Sequence, residues 1–257
     1  MKKYPRSEKY DREWIEKNWM GPHPLWLLED LCGHMDLRPG MRVLDMGCGK
    51  GITSVFLAKE YGVTVFANDL WISATDNLRR FEEAGVADRV FPIHAEAHAL
   101  PYAEGFFDVA ISIDSYQYYG AGENYFPDVF SKLVKPGGQF GIVVPGLRCE
   151  FEKGYPETLK DLWMPELFTF HSGGWWHNLW EKTGLCEITA CYDIDDPKGI
   201  WWSWADWSKE NFAKEFGDDG GGSGSDTKLL KADTGDDIAL IAMAAKKTGI
   251  AGLYKSH

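Results

Sequence analysis

The sequence feature that most constrains the fold is the stretch from residue 43 to residue 70, VLDMGCGKGITSVFLAKEYGVTVFANDL. It opens on a buried-strand run, passes through three glycines, continues into a helical pattern and returns to a second apolar run. The second run ends in an acid, Asp69. A strand, a turn, a helix and a strand in this order make up half of a nucleotide-binding βαβ unit.

The rest of the chain supplies the other strands and helices of such a fold. Apolar runs alternate with helical patterns five times up to residue 145, which predicts a parallel sheet with helices on both faces. The five strands are predicted at residues 42–46, 63–68, 90–93, 107–113 and 139–144. Two later apolar runs, at 186–192 and 238–244, indicate an antiparallel strand near the C-terminus of an otherwise parallel sheet. The predicted fold class is α/β.

The whole chain, residues 1–257, is predicted to form a single domain with three additions. Residues 1–36 place aromatic and leucine side chains at helical spacing and are expected to form a helical cover. Residues 146–180 are expected to form an insertion that covers the carboxyl edge of the sheet. Residues 217–227 are rich in glycine and serine and are expected to be a flexible loop.

Composition narrows the partners and the cellular compartment. The net charge is −12 and no Lys/Arg cluster is present, which argues against a nucleic-acid partner. No apolar run reaches the roughly 20 residues of a membrane helix, and the N-terminus does not resemble a signal peptide. Five cysteines without framework spacing favour reduced thiols and a cytoplasmic location. We expect a small-molecule partner, and the oligomeric state is open, a homodimer included.

The glycine loop does not match two common nucleotide-binding motifs. A P-loop needs Gly-x-x-x-x-Gly-Lys-Ser/Thr, which residues 47–53 do not supply. A dinucleotide-binding loop needs a third glycine at the position of Ile52, so a nicotinamide dehydrogenase is disfavoured. What remains is Asp45-x-Gly47-x-Gly49-x-Gly51 after a strand, followed by a second acid at the end of the next strand.

This arrangement resembles motif I of the class I S-adenosylmethionine-dependent methyltransferases, which have a Rossmann-like fold. Three later segments, in the expected order, are similar to further motifs of that family: His94-Ala95-Glu96-Ala97 with Leu100-Pro101-Tyr102, Phe107-Asp108-Val109, and Leu133-Val134-Lys135-Pro136-Gly137-Gly138. The resemblance covers about residues 40–145.

The resemblance implies S-adenosylmethionine as cofactor and S-adenosylhomocysteine as product. Asp45 would orient the loop, Asp69 would accept from both ribose hydroxyls, and Glu96 would accept from the adenine amino group. Asp114, just past the fourth strand, would contact the methionine end. The full set of cofactor residues implied is Asp45, Gly47, Cys48, Gly49, Asp69, Leu70, Glu96, Ala97 and Asp114.

Aromatic segments after the fourth and fifth strands are predicted to cover the substrate. Methyl transfer needs an aligned nucleophile and, when that nucleophile is protonated, a group that takes up its proton. The candidates for catalysis are His171, His177 and Tyr116, and those for substrate contact are Tyr118, Tyr119, Trp175 and Trp176.

No metal is expected. The order His94-Ala-Glu-Ala-His98 falls in a loop and differs from the zinc motif His-Glu-x-x-His. The surroundings of the cysteines do not favour metalloid methylation, and no basic or amphipathic face supports a phospholipid substrate. Two functions therefore compete: a small-molecule methyltransferase, and a non-catalytic S-adenosylmethionine-binding partner or regulatory subunit.

Overall fold

A computed structural model describes residues 3–216 and 225–249, including the side chains of all of these except residues 210 and 212–216. Within them lies a seven-stranded sheet of order β3-β2-β1-β4-β5-β7-β6. Its strands are β1 Arg42–Met46, β2 Thr64–Asp69, β3 Val90–His94, β4 Phe107–Ile113, β5 Val134–Leu147, β6 Cys186–Asp193 and β7 Ile238–Lys247. The first five are parallel, and β7 is antiparallel to both β5 and β6. The predicted fold class is confirmed.

The helices flank this sheet on both faces. Their bounds are α1 Arg12–Asn18, α2 Pro24–Cys32, α3 Ile52–Tyr61, α4 Ala74–Glu83, α5 Gln117–Gly120, α6 Ser131–Leu133, α7 Gly173–Glu181, α8 Pro197–Phe216 and α9 Ser225–Ala232. A π-helical turn, Phe126–Phe130, precedes α6. One apolar core contains side chains of α2, α3 and α8, and a second core contains side chains of α7 and the π-helical turn. None of the described helices is long and apolar enough to span a membrane.

The βαβ unit forms where its sequence predicts it. Strand β1 has the predicted bounds, and α3 ends at Gly62, whose φ of 65° is the left-handed conformation of a helix stop. The Lys-Pro-Gly-Gly segment precedes the predicted fifth strand at 139–144, and in the structure it lies within β5 as a bulge. Residues Val134 and Gln139 pair with Phe107 and Val109, so three extra residues are accommodated there.

The N-terminal residues form two helices, as expected. The side chain of Asp11 caps α1 by accepting from the Trp14 amide at 2.9 Å. Helix α2 starts at Pro24 and ends before Gly33. The predicted stripe of Leu25, Leu28 and Leu31 is fully buried, and α2 packs on α3, β4, β5 and β7.

The segment predicted as an insertion contains strand, 3-10 and α-helical residues. Residues 146–180 begin within β5, pass through two short 3-10 helices, Lys160–Leu162 and Pro165–Thr169, and end in α7, which Ser172 caps. Of the predicted loop 217–227, residues 217–224 lie outside the described residues. Residues 225–227 begin helix α9 rather than a loop, and the Trp201 indole donates to Asp226 Oδ2 at 3.0 Å.

Candidate active site

A cavity of about 180 Å³ lies at the carboxyl ends of β1, β2 and β4, where ligands bind in open α/β sheets. A smaller cavity of about 70 Å³ shares Met20, Gly47, Gly49 and Asp114 with it. Three carboxylates and no lysine or arginine are among the described side chains that line the larger cavity. Its lining residues are Met20, Gly47, Gly49, Asn68, Asp69, Leu70, Trp71, Ala95, Glu96, Ala97, Asp114, Ser115, Tyr118 and Tyr119.

The glycine loop joins the ends of three strands. Gly47 has a φ of 68°, and its amide donates to the Asn68 carbonyl at 2.8 Å. A Cβ on Gly47 would lie 1.9 Å from Ser115 Oγ, so only glycine fits between β1 and the segment after β4. The Gly49 amide donates to Asp69 Oδ2 at 2.8 Å and so connects the loop to β2.

Asp45 lies next to the glycine loop and anchors the start of helix α3. Its side chain is buried and lines neither cavity. Its Oδ2 accepts hydrogen bonds from Thr53 Oγ1 and Ser54 Oγ, each at 2.6 Å. These two bonds anchor the first turn of α3. Its Oδ1 has no hydrogen-bond partner, and burial raises the pKa of this carboxyl to about 6. Its position agrees with the loop-orienting role that the sequence implies, while direct contact with a ligand in either cavity is absent.

Asp69 has less acceptor capacity than the sequence implies. Its Oδ1 accepts from the amides of Trp71 and Ile72 at 2.8 and 2.9 Å, and its Oδ2 accepts from Gly49. A carboxylate offers about four lone-pair sites, so about one remains, on Oδ2. The structure therefore leaves one acceptor for a ligand, where a grip on both hydroxyls of a diol would use two.

Three other predicted residues line the larger cavity near Asp69. Leu70 is 53% exposed and Ala97 is buried. The carboxylate of Glu96 accepts from the His98 amide at 2.8 Å, and hydrogen bonding to His98 lowers the pKa of Glu96. Cys48 lines only the smaller cavity, and burial raises the pKa of its thiol.

Asp114 lies where the two cavities meet. Its φ of 54° is unusual for a residue with a side chain, and its amide donates to the Val143 carbonyl at 2.8 Å. Burial, followed by the charge of Asp226, raises the pKa of Asp114 to about 8. Near neutral pH this carboxyl is largely protonated. A cation bound beside it would favour its ionised form.

Of the predicted aromatic residues, two reach the cavity. Tyr118 is 59% exposed at its mouth, and Tyr119 lies deeper. Ser115 Oγ donates to the Tyr119 hydroxyl at 3.2 Å, and that hydroxyl donates to the Met46 carbonyl at 3.4 Å. Tyr119 thus connects the segment after β4 to the end of β1.

The other aromatic and histidine candidates lie elsewhere. Tyr116 and Trp176, which lies on α7, are fully buried in the core, so packing and not ligand contact accounts for their position. Trp175 stacks on His171 at 3.8 Å between ring centroids, and His171 Nδ1 lies 3.2 Å from Glu150. His177 Nδ1 lies 3.5 Å from Glu181 on the same helix. None of these five residues lines either cavity, which corrects the expectation that they face the ligand.

Sequence reasoning missed several lining residues. Trp71 and Ser115 directly follow residues that were singled out, so the ends of β2 and β4 carry the signal for them. Met20 comes from the N-terminal cover, which periodicity locates without showing which side chain reaches the cavity. Within the described part of the chain, no group of three or more His, Cys, Asp or Glu side chains is placed to hold a metal ion.

The sequence is similar to those of known methyltransferases. The sequence model of a methyltransferase domain family matches residues 43–138. Methyltransferase GfsG of Streptomyces halstedii is 31% identical over 45% of this chain and 42% of its own length. The 2-methyl-6-phytyl-1,4-hydroquinone methyltransferase of Synechocystis sp. is 33% identical over 59% of this chain and 48% of its own length. The chain thus spans less than half of the length of these two relatives.

The fold is also similar to that of a methyltransferase of known structure. The structure of Haemonchus contortus phosphoethanolamine N-methyltransferase 2 in complex with S-adenosyl-L-methionine superposes with a TM-score of 0.69 at 21% identity, covering 92% of this chain and 56% of that one. Residues 43–138 thus belong to a methyltransferase domain family, and the sheet order and the succession of motifs along β1 to β5 agree with the class I S-adenosylmethionine-dependent type.

Proposed function

We propose that this protein transfers a methyl group from S-adenosylmethionine to a small-molecule acceptor. The observation that carries the proposal is the larger cavity, which the glycine loop and three carboxylates line at the carboxyl edge of the sheet. S-Adenosylmethionine carries a sulfonium, an ammonium and one carboxylate, so its net charge is positive. A cavity with this excess of acids attracts such a cation.

The residues present fit this cofactor. The free lone pair on Asp69 Oδ2 is available to one ribose hydroxyl, and Leu70 and Ala97 offer apolar surface for adenine. Gly47 and Gly49 expose backbone without a Cβ. In the smaller cavity, the start of α3 and the buried side chain of Lys50 offer positive charge to the amino-acid carboxylate.

The bound cofactor supplies a methyl group on a positively charged sulfur, which leaves as a neutral thioether. The chain has to align the acceptor and exclude water. Tyr118 and Trp71 stand at the cavity mouth with their ring centroids 6.2 Å apart. Their faces can attract a positive charge by about 0.5–2 kcal/mol. These two residues replace Trp175 and Trp176 as the aromatic candidates for ligand contact.

The relatives leave the acceptor class open. One is named for a hydroquinone and the structural neighbour for phosphoethanolamine, so the shared fold serves different acceptors. We further propose a single catalytic domain with residues 1–36 and 146–180 as covers. A cytoplasmic location is supported by the five cysteines, all of which are free. A homodimer stays a prediction, and sedimentation of the purified protein measures it.

Isothermal calorimetry with S-adenosylhomocysteine tests the proposal. We expect micromolar binding that falls about 10- to 100-fold in Asp69→Asn, because a hydrogen bond to a charged group contributes about 1.5–3 kcal/mol. Asp88→Asn, an exposed acid paired with Arg89, changes the net charge equally and should leave the affinity unaltered. If the unaltered protein does not bind S-adenosylhomocysteine, the proposal is wrong. Binding without methyl transfer to any acceptor of a broad panel would identify a non-catalytic cofactor-binding subunit instead.

A further inference from the structure

The smaller cavity, of about 70 Å³, lies between the N-terminal cover and the glycine loop. Residues 18–22 line it from the cover, and residues 47–50 line it from the loop. Met20, Gly47, Gly49 and Asp114 line both this cavity and the larger one. One elongated ligand can therefore extend from the larger cavity into the smaller one.

Trp19 brings a hydrogen-bond donor without an acceptor to the smaller cavity. Trp19 is 4% exposed, and its Nε1 has no hydrogen-bond partner among the described residues. A buried indole N–H usually has a partner, because leaving the donor unpaired is unfavourable. The indole nitrogens of Trp176 and Trp180 are also buried and unpaired in the described part of the chain, but these residues line neither cavity. Trp19 is thus placed to donate to a ligand, and they are not.

The ring of Trp19 is held in position from two sides. Trp19 is the C-cap of α1, and its amide donates to the Ile15 carbonyl at 2.8 Å. Its ring packs edge-on against His23 and Trp207, with ring centroids 6.1 and 5.7 Å apart. Trp207 lies on α8, so the N-terminal cover and α8 together fix the indole at the cavity.

The start of α3 adds donors at the same cavity. Ile52 and Thr53 of its first turn line the cavity, and the N-cap residue, Gly51, provides no side-chain cap for the first amides. Lys50 is buried next to this turn, and its Nζ donates to the Lys17 carbonyl at the end of α1 at 3.2 Å. The first amides of a helix and the positive end of its dipole favour an anion.

We propose that Trp19 Nε1–H donates a hydrogen bond to the carboxylate of the cofactor's amino-acid end, together with the start of α3. This inference rests on the proposed methyl transfer and assigns a residue of the N-terminal cover to the cofactor site. The adenosine part then lies in the larger cavity and the amino-acid part in the smaller one. The charged side chains that line the smaller cavity within the described residues are Lys50 and Asp114, and one cation with one acid complements a zwitterion.

Calorimetry with two ligands tests the inference without turnover. S-Adenosylhomocysteine is compared with its decarboxylated analogue, in which hydrogen replaces the carboxylate. We expect the unaltered protein to bind S-adenosylhomocysteine at least about ten-fold more tightly, because hydrogen bonds to a charged group are among the stronger ones. Trp19→Phe keeps an aromatic ring and removes the N–H. It should weaken the binding of S-adenosylhomocysteine about ten-fold and that of the analogue less than two-fold.

Trp176→Phe is the matched control, because it also removes a buried, unpaired indole N–H and Trp176 lines neither cavity. It should alter neither affinity. An unchanged affinity for S-adenosylhomocysteine in Trp19→Phe overturns this inference and leaves the proposed function standing. Equal weakening of both ligands in that variant indicates a packing role for Trp19 and also overturns it. Failure of the unaltered protein to bind S-adenosylhomocysteine overturns both proposals.

Discussion

The two halves of the chain differ in what holds their polar and aromatic groups in place. Up to β5, the site is built from backbone hydrogen bonds at strand ends, as when Asp69 accepts from three amides. After β5, tryptophans of α7 fill the core, and the indole nitrogens of Trp176 and Trp180 are buried without a hydrogen-bond partner. In the first half, strand ends hold polar groups at the cavity, whereas in α7 the tryptophans pack in the core.

This difference explains why similar residue types have different roles in the two halves. Trp71 follows Asp69 and is 73% exposed at the cavity, whereas Trp176 is fully buried against Tyr116. An aromatic side chain therefore indicates a ligand site here only when a strand end places it at the carboxyl edge of the sheet. Substitutions in each half should separate stability from binding.

The largest expected effect is that of Trp176→Ala. Removing a fully buried tryptophan should lower the free energy of unfolding by about 3–5 kcal/mol. The folded fraction should bind S-adenosylhomocysteine within two-fold of the unaltered protein. Urea unfolding and calorimetry measure the two quantities.

Trp71→Ala is the matched substitution in the first half. Its free energy of unfolding should change by less than about 0.5 kcal/mol, because the side chain is exposed. Its affinity for S-adenosylhomocysteine should fall by about 0.5–1.5 kcal/mol through loss of an aromatic contact. A larger loss of affinity in Trp176→Ala than in Trp71→Ala would contradict the contrast between the two halves.

Gly47→Ala should have the next largest effect. The left-handed conformation costs a residue with a Cβ about 1–2 kcal/mol, and here the Cβ would also collide with Ser115 Oγ at 1.9 Å. We expect more than 100-fold weaker binding of S-adenosylhomocysteine. Gly85→Ala isolates the backbone cost, because its φ of 69° is nearly the same and nothing lies within 4 Å of the added Cβ. If both variants bind the cofactor product equally, the close approach at Gly47 has no functional role.

The sequence predicted the first half closely because its signals are local. Strand ends, glycines and the order of motifs indicate the candidate cofactor residues, and of the nine implied, seven line the larger cavity and Cys48 lines the smaller one. Asp45 is the exception, since it acts through Thr53 and Ser54 on α3. The number of backbone amides that donate hydrogen bonds to Asp69 was not predictable, because it depends on how the chain turns after β2.

The second half was predicted in its elements but not in its site. The Ser172 cap, α8, β6 and β7 follow from local pattern. Which side of α7 faces the core depends on docking against β6 and β7, so the roles of Trp176 and His177 did not follow from their spacing. The charge of Asp226 on α9 acts on Asp114, which lies more than a hundred positions earlier in the chain, and α9 packs on α8, so no local pattern indicates this effect.

The last test concerns the pH dependence that the raised pKa of Asp114 gives to stability. The pKa of Asp114 is about 8 in the folded protein and about 3.9 in an unfolded chain, so the folded state binds the extra proton between these values. Stability of the unaltered protein should therefore fall as the pH rises from about 4 to about 8 through this group. Burial is the main cause of the raised pKa of Asp114, and the charge of Asp226 on α9 adds to it.

Asp114→Asn removes this titration. Its thermal midpoint, compared with that of the unaltered protein, should gain steadily between pH 4 and pH 8 and stay level above pH 8. Asp206→Asn should show no such gain, because the pKa of Asp206 is lowered by Lys209 and its ionised form is the favoured one. Asp226→Asn should reduce the gain seen with Asp114→Asn, since it removes the charge that opposes ionisation of Asp114. A difference in midpoint that does not vary with pH would mean that Asp114 is ionised throughout, and that the two halves of the chain do not meet in an electrostatically coupled pair.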